Sequence, residues 1–123
     1  MTPLTWGLII PAGALGALAR YETGRVMWMR FGLRAPWGVL AVNLVGAFLL
    51  GLLAGAHPSD VLVIALGTGF LGSFTTFSGL QLEAFVMMCH GRSGAAVFYV
   101  LASVVVGLLA ALVGRRAVQM VHA

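Results

Sequence analysis

The chain has 123 residues, of which 61% are hydrophobic and only 8% charged, and 17 are glycine. That mixture leaves too little polar surface to coat a soluble globule, so a water-soluble enzyme is excluded and an integral membrane protein is expected. Seven basic residues, all arginine, stand against three acids for a net charge of +4; beside long apolar runs they read as topology signals and headgroup contacts, not as a nucleic-acid surface.

Four apolar stretches follow one another: residues 4–19, 37–56, 61–88 and 95–114. A spanning helix needs about 20 residues at 1.5 Å rise to cross a hydrocarbon core of about 30 Å. The expectation is therefore one all-α transmembrane domain, with no room for an extramembrane catalytic domain. The first stretch has no basic region before it and is not read as a cleaved signal peptide. It carries Ala12, Gly13, Gly16 and Ala17, small residues whose spacing lets another helix come close. At its end Arg20 is either a snorkelling side chain beside the interfacial Tyr21 or a cation at a pore mouth. Residues 22–36, with Arg25, Trp28, Met29 and Phe31, are expected to form a short amphipathic connection in the interface.

The second stretch contains Gly51 and Gly55, a small-xxx-small pair, and Asn43. An unpaired amide in hydrocarbon costs several kcal/mol by order of magnitude, so Asn43 faces protein or water. It serves either as a hydrogen bond between helices or as a donor lining a pore. A short connection at 56–60 makes the second and third stretches antiparallel neighbours.

As one straight helix the third stretch would extend roughly 42 Å, well past the core. A break near 69–76 resolves the excess. There Gly67, Gly69, Gly72 and Gly79 lower the cost of non-helical backbone, and Ser73, Thr75, Thr76 and Ser78 supply hydroxyls for the freed groups. Non-helical backbone at membrane depth is tolerated only where it is buried in protein or lines a wet cavity. A broken helix also offers carbonyls to cations and amides to anions. The hydroxyls of Thr75, Thr76 and Ser78, with the positive ring edge of Phe77, describe an anion path without a fixed countercharge. Phe70, Phe74 and Phe85 are read as lipid-facing packing. The nominal GxGxxG at Gly67, Gly69 and Gly72 has no preceding strand and no room for a βαβ unit, which rejects dinucleotide binding.

Glu83, near the end of this stretch, is either functional or simply solvated at the interface. His57, His90 and His122 lack ligand spacing, so no transition-metal site is expected, and Cys89 has no internal partner. In the last stretch Tyr99, Ser103 and Gly107 share a face. Ser103 either continues a polar path or bonds its own i−4 carbonyl. Counted by side, Arg20, Arg25, Arg30, Arg34 and Arg92 oppose Arg115 and Arg116, a bias that favours the first group as cytoplasmic.

Three segments, GALGALARY (13–21), PWGVLAVNLVGAFLLGLL (36–53) and GFLGSFTTFSG (69–79), resemble in content and order the CrcB or Fluc family of fluoride channels. The resemblance covers nearly the whole chain. It implies four transmembrane helices, the third broken near its middle, in a homodimer of oppositely inserted subunits, placed in the cell membrane among lipid. It also implies two fluoride pores, passive export of cytoplasmic fluoride, and a structural sodium ion between the subunits. Sodium would be held by backbone carbonyls at Gly72 and Thr75. The pore residues implied are Asn43, Phe77 flanked by Thr76 and Ser78, Ser103 on the fourth helix, Arg20 at the vestibule and Glu83 near the pore end. The chain departs from the family's usual FSTF at Gly79 and Leu80, where a pore threonine and the second pore phenylalanine are expected. A small dual-topology multidrug exporter is the alternative of similar size; it requires a membrane-embedded acid in the first helix, and residues 4–19 contain none. A non-conducting assembly subunit would account for the small-residue faces but not for the donors around Phe77.

Overall fold

The computed structural model describes residues 1–32 and 36–123; the expected features at 33–35, including Arg34, lie outside the described residues. Every regular element among those residues is helical. Helix α1 spans Pro3–Phe31 and α2 spans Trp37–Ala56. The third segment is composite. Its first limb, here α3, runs through Asp60–Leu62, Val63–Leu71 and Gly72–Phe74, and its second, α4, is Phe77–Cys89. Helix α5 spans Ser93–Val121.

Helix α1 is the main departure from the expected architecture. The connection anticipated over 22–36 is continuous helix as far as Phe31, so α1 is 29 residues long. Local bonds explain the continuation. Thr23 Oγ1 donates to the Ala19 carbonyl at 2.8 Å, and Arg25 pairs with Glu22 one turn earlier at 2.7 Å. Gly32, at φ 86°, ends the helix with its N–H on the Trp28 carbonyl. At the other end Thr2 caps the helix by accepting from Thr5 N.

Three helical stretches, Trp37–Ala56, Asp60–Cys89 and Ser93–Val121, are long and apolar enough to cross a membrane. In α1 the apolar half is shorter and Arg20, Glu22, Arg25 and Arg30 dilute the remainder. Large apolar side chains such as Leu15, Phe98 and Leu108 are exposed on the outside, and the enclosed core is small. That inversion suits a lipid solvent.

Close approaches fix the topology. Along α2 and the third segment, Leu53 meets Gly67, Gly46 meets Thr75, Asn43 meets Thr76 and Val39 meets Gly79, so these two run antiparallel, as the short connection demands. The most extensive packing of α2 is nevertheless against α5. Those two run parallel: Val39 and Leu40 pack with Ala96 and Tyr99, while Gly51 sits against Ala111 and Gly55 against Arg115. Here the small-residue pair has its partner. A Cβ at Gly51 would collide with the Ala111 carbonyl, and one at Gly55 would stand 2.7 Å from the Arg115 carbonyl oxygen. In the opposite direction Gly114 of α5 admits the Phe48 carbonyl of α2.

Helix α1 packs chiefly on α3. Gly16 is buried against the Phe70 backbone, and a Cβ at Gly69 would lie 3.1 Å from Ala12 Cβ and 3.2 Å from the Ile9 carbonyl oxygen. The small face of the first stretch is thus a helix contact. Two pairs result, α1 with α3 and α2 with α5. Val42, Leu71 and Phe74 form the core where the pairs meet. This corrects the lipid-facing reading of Phe74, which is buried and stacked on Phe70 with ring centroids 5.9 Å apart. Phe85 does point outward.

The excess length of the third segment is absorbed in two ways. Over Val63–Leu71 the winding is of the wide π type, with N–H groups bonding five residues back, which shortens the rise per residue. Then the helix stops at Thr75 and Thr76, whose backbones are extended (ψ 158° and 116°), and restarts at Phe77.

Candidate functional site at the broken helix

The interruption is built by hydroxyls and one amide. At the end of α3, Thr75 places both its N–H and its Oγ1 on the Leu71 carbonyl, at 3.0 and 2.9 Å. At the start of α4, Thr76 Oγ1 accepts from Gly79 N at 3.0 Å and shares a hydrogen bond with Ser78 Oγ at 3.1 Å. Thr76 is therefore an N-cap. Between the two limbs Thr76 itself has, among the described residues, no helical partner for its own peptide groups.

Asn43 supplies both. Thr76 N donates to Asn43 Oδ1 at 2.8 Å, and Asn43 Nδ2 donates to the Thr76 carbonyl at 3.0 Å. The carboxamide thus mimics the edge of a neighbouring strand, pairing a donor and an acceptor in one residue. Of the two readings of Asn43, the interhelical bond is the one seen: it ties α2 to the break, and one of its two Nδ2 hydrogens remains beyond the bond to Thr76. Because Thr76 N turns to Asn43, the Gly72 carbonyl loses the donor a continuing helix would give it.

Two glycines make room for this clasp, and neither was singled out for it by sequence alone. A Cβ on Gly46, one turn beyond Asn43, would collide with Thr75 Cγ2. A Cβ on Gly79 would stand 2.7 Å from Thr76 Cγ2 and 3.3 Å from Val39 Cγ2. The VNLVG spacing held the first signal: a glycine three residues after a membrane asparagine lies on the same helix face.

Two cavities flank Thr76. One, of about 390 Å³, is lined by Asn43, Gly46, Gly67, Gly72, Thr75, Thr76 and Phe77, with Leu71 and Leu80. The Phe77 ring is 70% exposed, so it stands free at this opening, not in the core. The other, of about 210 Å³, is lined by Arg20, Gly24, Trp28, Gly38, Val39, Val42, Thr76 and Glu83. Arg20, Asn43, Gly72, Thr75, Thr76, Phe77 and Glu83 are therefore brought around one residue, with Ser78 bonded to it.

Ser103 is not among them. It is buried, and its Oγ donates to the Tyr99 carbonyl at 2.6 Å, the i−4 bond that was one of its two readings; it lines neither cavity. Leu80, where the family pattern expects a phenylalanine, is buried against Ala84, Ala96 and Tyr99 while its edge lines the larger cavity. Among the described residues no group of His, Cys, Asp or Glu side chains is arranged to hold a metal ion. The oxygens on offer at the break are backbone carbonyls, the hydroxyls of Thr75, Thr76 and Ser78, and the Asn43 amide.

The family model described as "CrcB-like protein, Camphor Resistance (CrcB)" matches residues 7–115. A protein of Acidobacterium capsulatum named fluoride-specific ion channel FluC is 43% identical over 107 residues, covering 83% of this chain and 86% of its own length. The Rhizobium meliloti protein of the same name is 40% identical, covering 87% of this chain and 90% of its own. In Rubrobacter xylanophilus, fluoride-specific ion channel FluC 1 is 40% identical over 118 residues and 95% of each chain. The matched residues include all of α2, both limbs of the third segment, the break and Asn43.

Proposed function

The chain belongs to the CrcB family, and from that premise we propose that it is a fluoride-selective ion channel, a multi-pass protein of the cell membrane that lets cytoplasmic fluoride leave down its gradient. The observation that carries the mechanism is the clasp between Asn43 and Thr76. It holds open an unwound stretch with an exposed aromatic ring and hydroxyls at its edge.

Fluoride is small and strongly hydrated, so a path for it must replace water with donors that are already in place. The remaining Nδ2 hydrogen of Asn43, the Ser78 hydroxyl and the first amides of α4 are such donors. The Phe77 ring edge adds a weakly positive contact without a full charge. A full cation there would bind the anion too deeply for conduction; the donor set is neutral and favours entry without trapping. Arg20 stands in the adjoining cavity, where it raises local anion concentration.

The second part of the proposal is the assembly. Helix α1 also crosses the membrane, which gives four spans and brings both termini to one side. Two such subunits pair in opposite orientations, covering the open cavity at Thr75 and Phe77. The exposure of Phe77 and Gly72 in the single chain supports a partner on that face. Gly72 and Thr75 carbonyls then hold a sodium ion on the two-fold axis. The Gly72 carbonyl, which accepts from no donor outside the helix among the described residues, fits that role, since hard oxygen suits an alkali ion. When bound, sodium would join the subunits and add positive potential near the anion path. Ser103 is retained as a fourth-helix pore residue only if its hydroxyl leaves the Tyr99 carbonyl.

The test is efflux from liposomes containing the purified protein. Fluoride should leave and chloride should not; equal chloride efflux refutes fluoride selectivity.

A further inference from the structure

Beyond Glu83 lies a third cavity, separate from the two at the break. It has a volume of about 190 Å³ and is lined by Glu83, Val86, Met87, His90 and Arg92. Glu83 lines both this cavity and the one that holds Arg20 and Thr76. Thr76, Glu83 and Arg92 thus mark a succession of cavities from the interrupted backbone to the loop joining α4 and α5. Among the described residues Glu83 has no ion-pair partner within 4.0 Å, although each of its two cavities contains an arginine.

The outer cavity is held by the turn that ends α4. His90 N bonds the Val86 and Met87 carbonyls, His90 Nδ1 lies 2.8 Å from the Val86 carbonyl oxygen, and Arg92 N donates to the Met87 carbonyl at 2.8 Å. These bonds fix the backbone at 90–92 and leave the Arg92 guanidinium, on an exposed residue, without a carboxylate partner among the described residues. At the mouth of a path that passes the Glu83 carboxylate on its way to neutral donors, an unpaired guanidinium offsets that charge and collects anions.

We propose that this cavity is an antechamber of the fluoride path, in which Arg92 concentrates the anion before it passes Glu83 toward Thr76. The inference rests on the fluoride reading above. It assigns Arg92 an electrostatic role that acts at a distance, with no lasting contact to the ion. A role of that kind has a signature: it fades when salt screens it, because the screening length falls from about 10 Å at 0.1 M to about 3 Å at 1 M.

The experiment is fluoride efflux from proteoliposomes at subsaturating fluoride, in low and high concentrations of sodium isethionate, for the wild-type chain, Arg92→Gln, Arg92→Glu and His90→Arg. A unit charge within about a nanometre of the path, in a water-like dielectric, changes local anion concentration about twofold. At low salt, Arg92→Gln should therefore slow efflux about twofold, Arg92→Glu, a change of two unit charges, about fourfold, and His90→Arg should accelerate it. At 1 M salt all four should converge. Equal rates at low salt, or losses that persist unchanged at high salt, would overturn the proposal; the gain expected for His90→Arg guards against mistaking a folding defect for lost attraction. A wild-type chain that passes no fluoride refutes both this inference and the channel reading, whereas normal wild-type efflux with indifferent variants refutes the antechamber alone.

Discussion

Replacing Asn43 by alanine removes the only partners that the Thr76 peptide groups have among the described residues, for the N–H at 2.8 Å and for the carbonyl at 3.0 Å. If Asn43 were merely an interhelical hydrogen bond, its loss would cost about 1 kcal/mol, the usual worth of such bonds in membranes. The geometry calls for more. Two backbone groups are left unpaired, at about 1–3 kcal/mol each when water is excluded. Because the adjoining cavity, of about 390 Å³, has room for water whether or not a partner covers it, water makes up part of the deficit, and the lower end of that sum applies, about 2–3 kcal/mol. The assay is denaturant unfolding in detergent micelles, followed by the fluorescence of the three tryptophans. Asn43→Asp provides the contrast: it keeps an acceptor for Thr76 N–H but loses the donor and brings a carboxylate to the proposed anion path. Its loss of fluoride efflux should exceed its loss of stability. An Asn43→Ala protein that unfolds within about 1 kcal/mol of wild type would refute the view that the break depends on this clasp.

Phe77 is exposed and caps no core, so Phe77→Ile should leave the unfolding midpoint almost unchanged while fluoride efflux falls sharply; normal efflux would remove Phe77 from the path. Gly51→Leu forces a side chain into the Ala111 backbone and should destabilise by about 1–3 kcal/mol or more, whereas Gly107→Leu, with no atom within 4 Å of its Cβ position, should be near neutral. Similar unfolding midpoints for these two variants would show that the contact between α2 and α5 is looser than described. Sodium should raise the melting temperature of the assembled protein above that in potassium at equal ionic strength, and identical melting in both salts would count against a sodium ion held at Gly72 and Thr75.

The sequence revealed the helical class, the membrane solvent and the place of the interruption, because each depends on composition or on local chemistry. Glycines and hydroxyls clustered at 67–79 can be read directly, and the break falls at Thr75 and Thr76 within them. The continuation of α1 to Phe31 was not legible in this way. Its arginines and aromatics have the same composition whether the chain lies in the interface or extends as a helix, and the Glu22–Arg25 pair is a weak signal by itself. Phe74 shows a different limit. Apolar residues look alike whether they meet lipid or protein, and only the crossing of the two helix pairs at Val42 and Leu71 decides that this ring is enclosed. For Ser103 both readings were available, and burial beside Tyr99 selected the local bond. The spacer roles of Gly46 and Gly79 depend on which threonine methyl approaches across the helix pair, a fact that appears only once α2 and the third segment are in register.

The clasp of Asn43 on Thr76 has a kinetic consequence. The amide grips main chain of the same chain, so the unwound segment is completed by the protein's own groups. No latch has to open and no helix has to rewind for an ion to pass. Transport through such a segment is expected to proceed without an alternating cycle, and its rate should rise with temperature about as steeply as diffusion in water does. Under the channel proposal, the clasp made by Asn43 is thereby the mark of a standing passage and not of a pump.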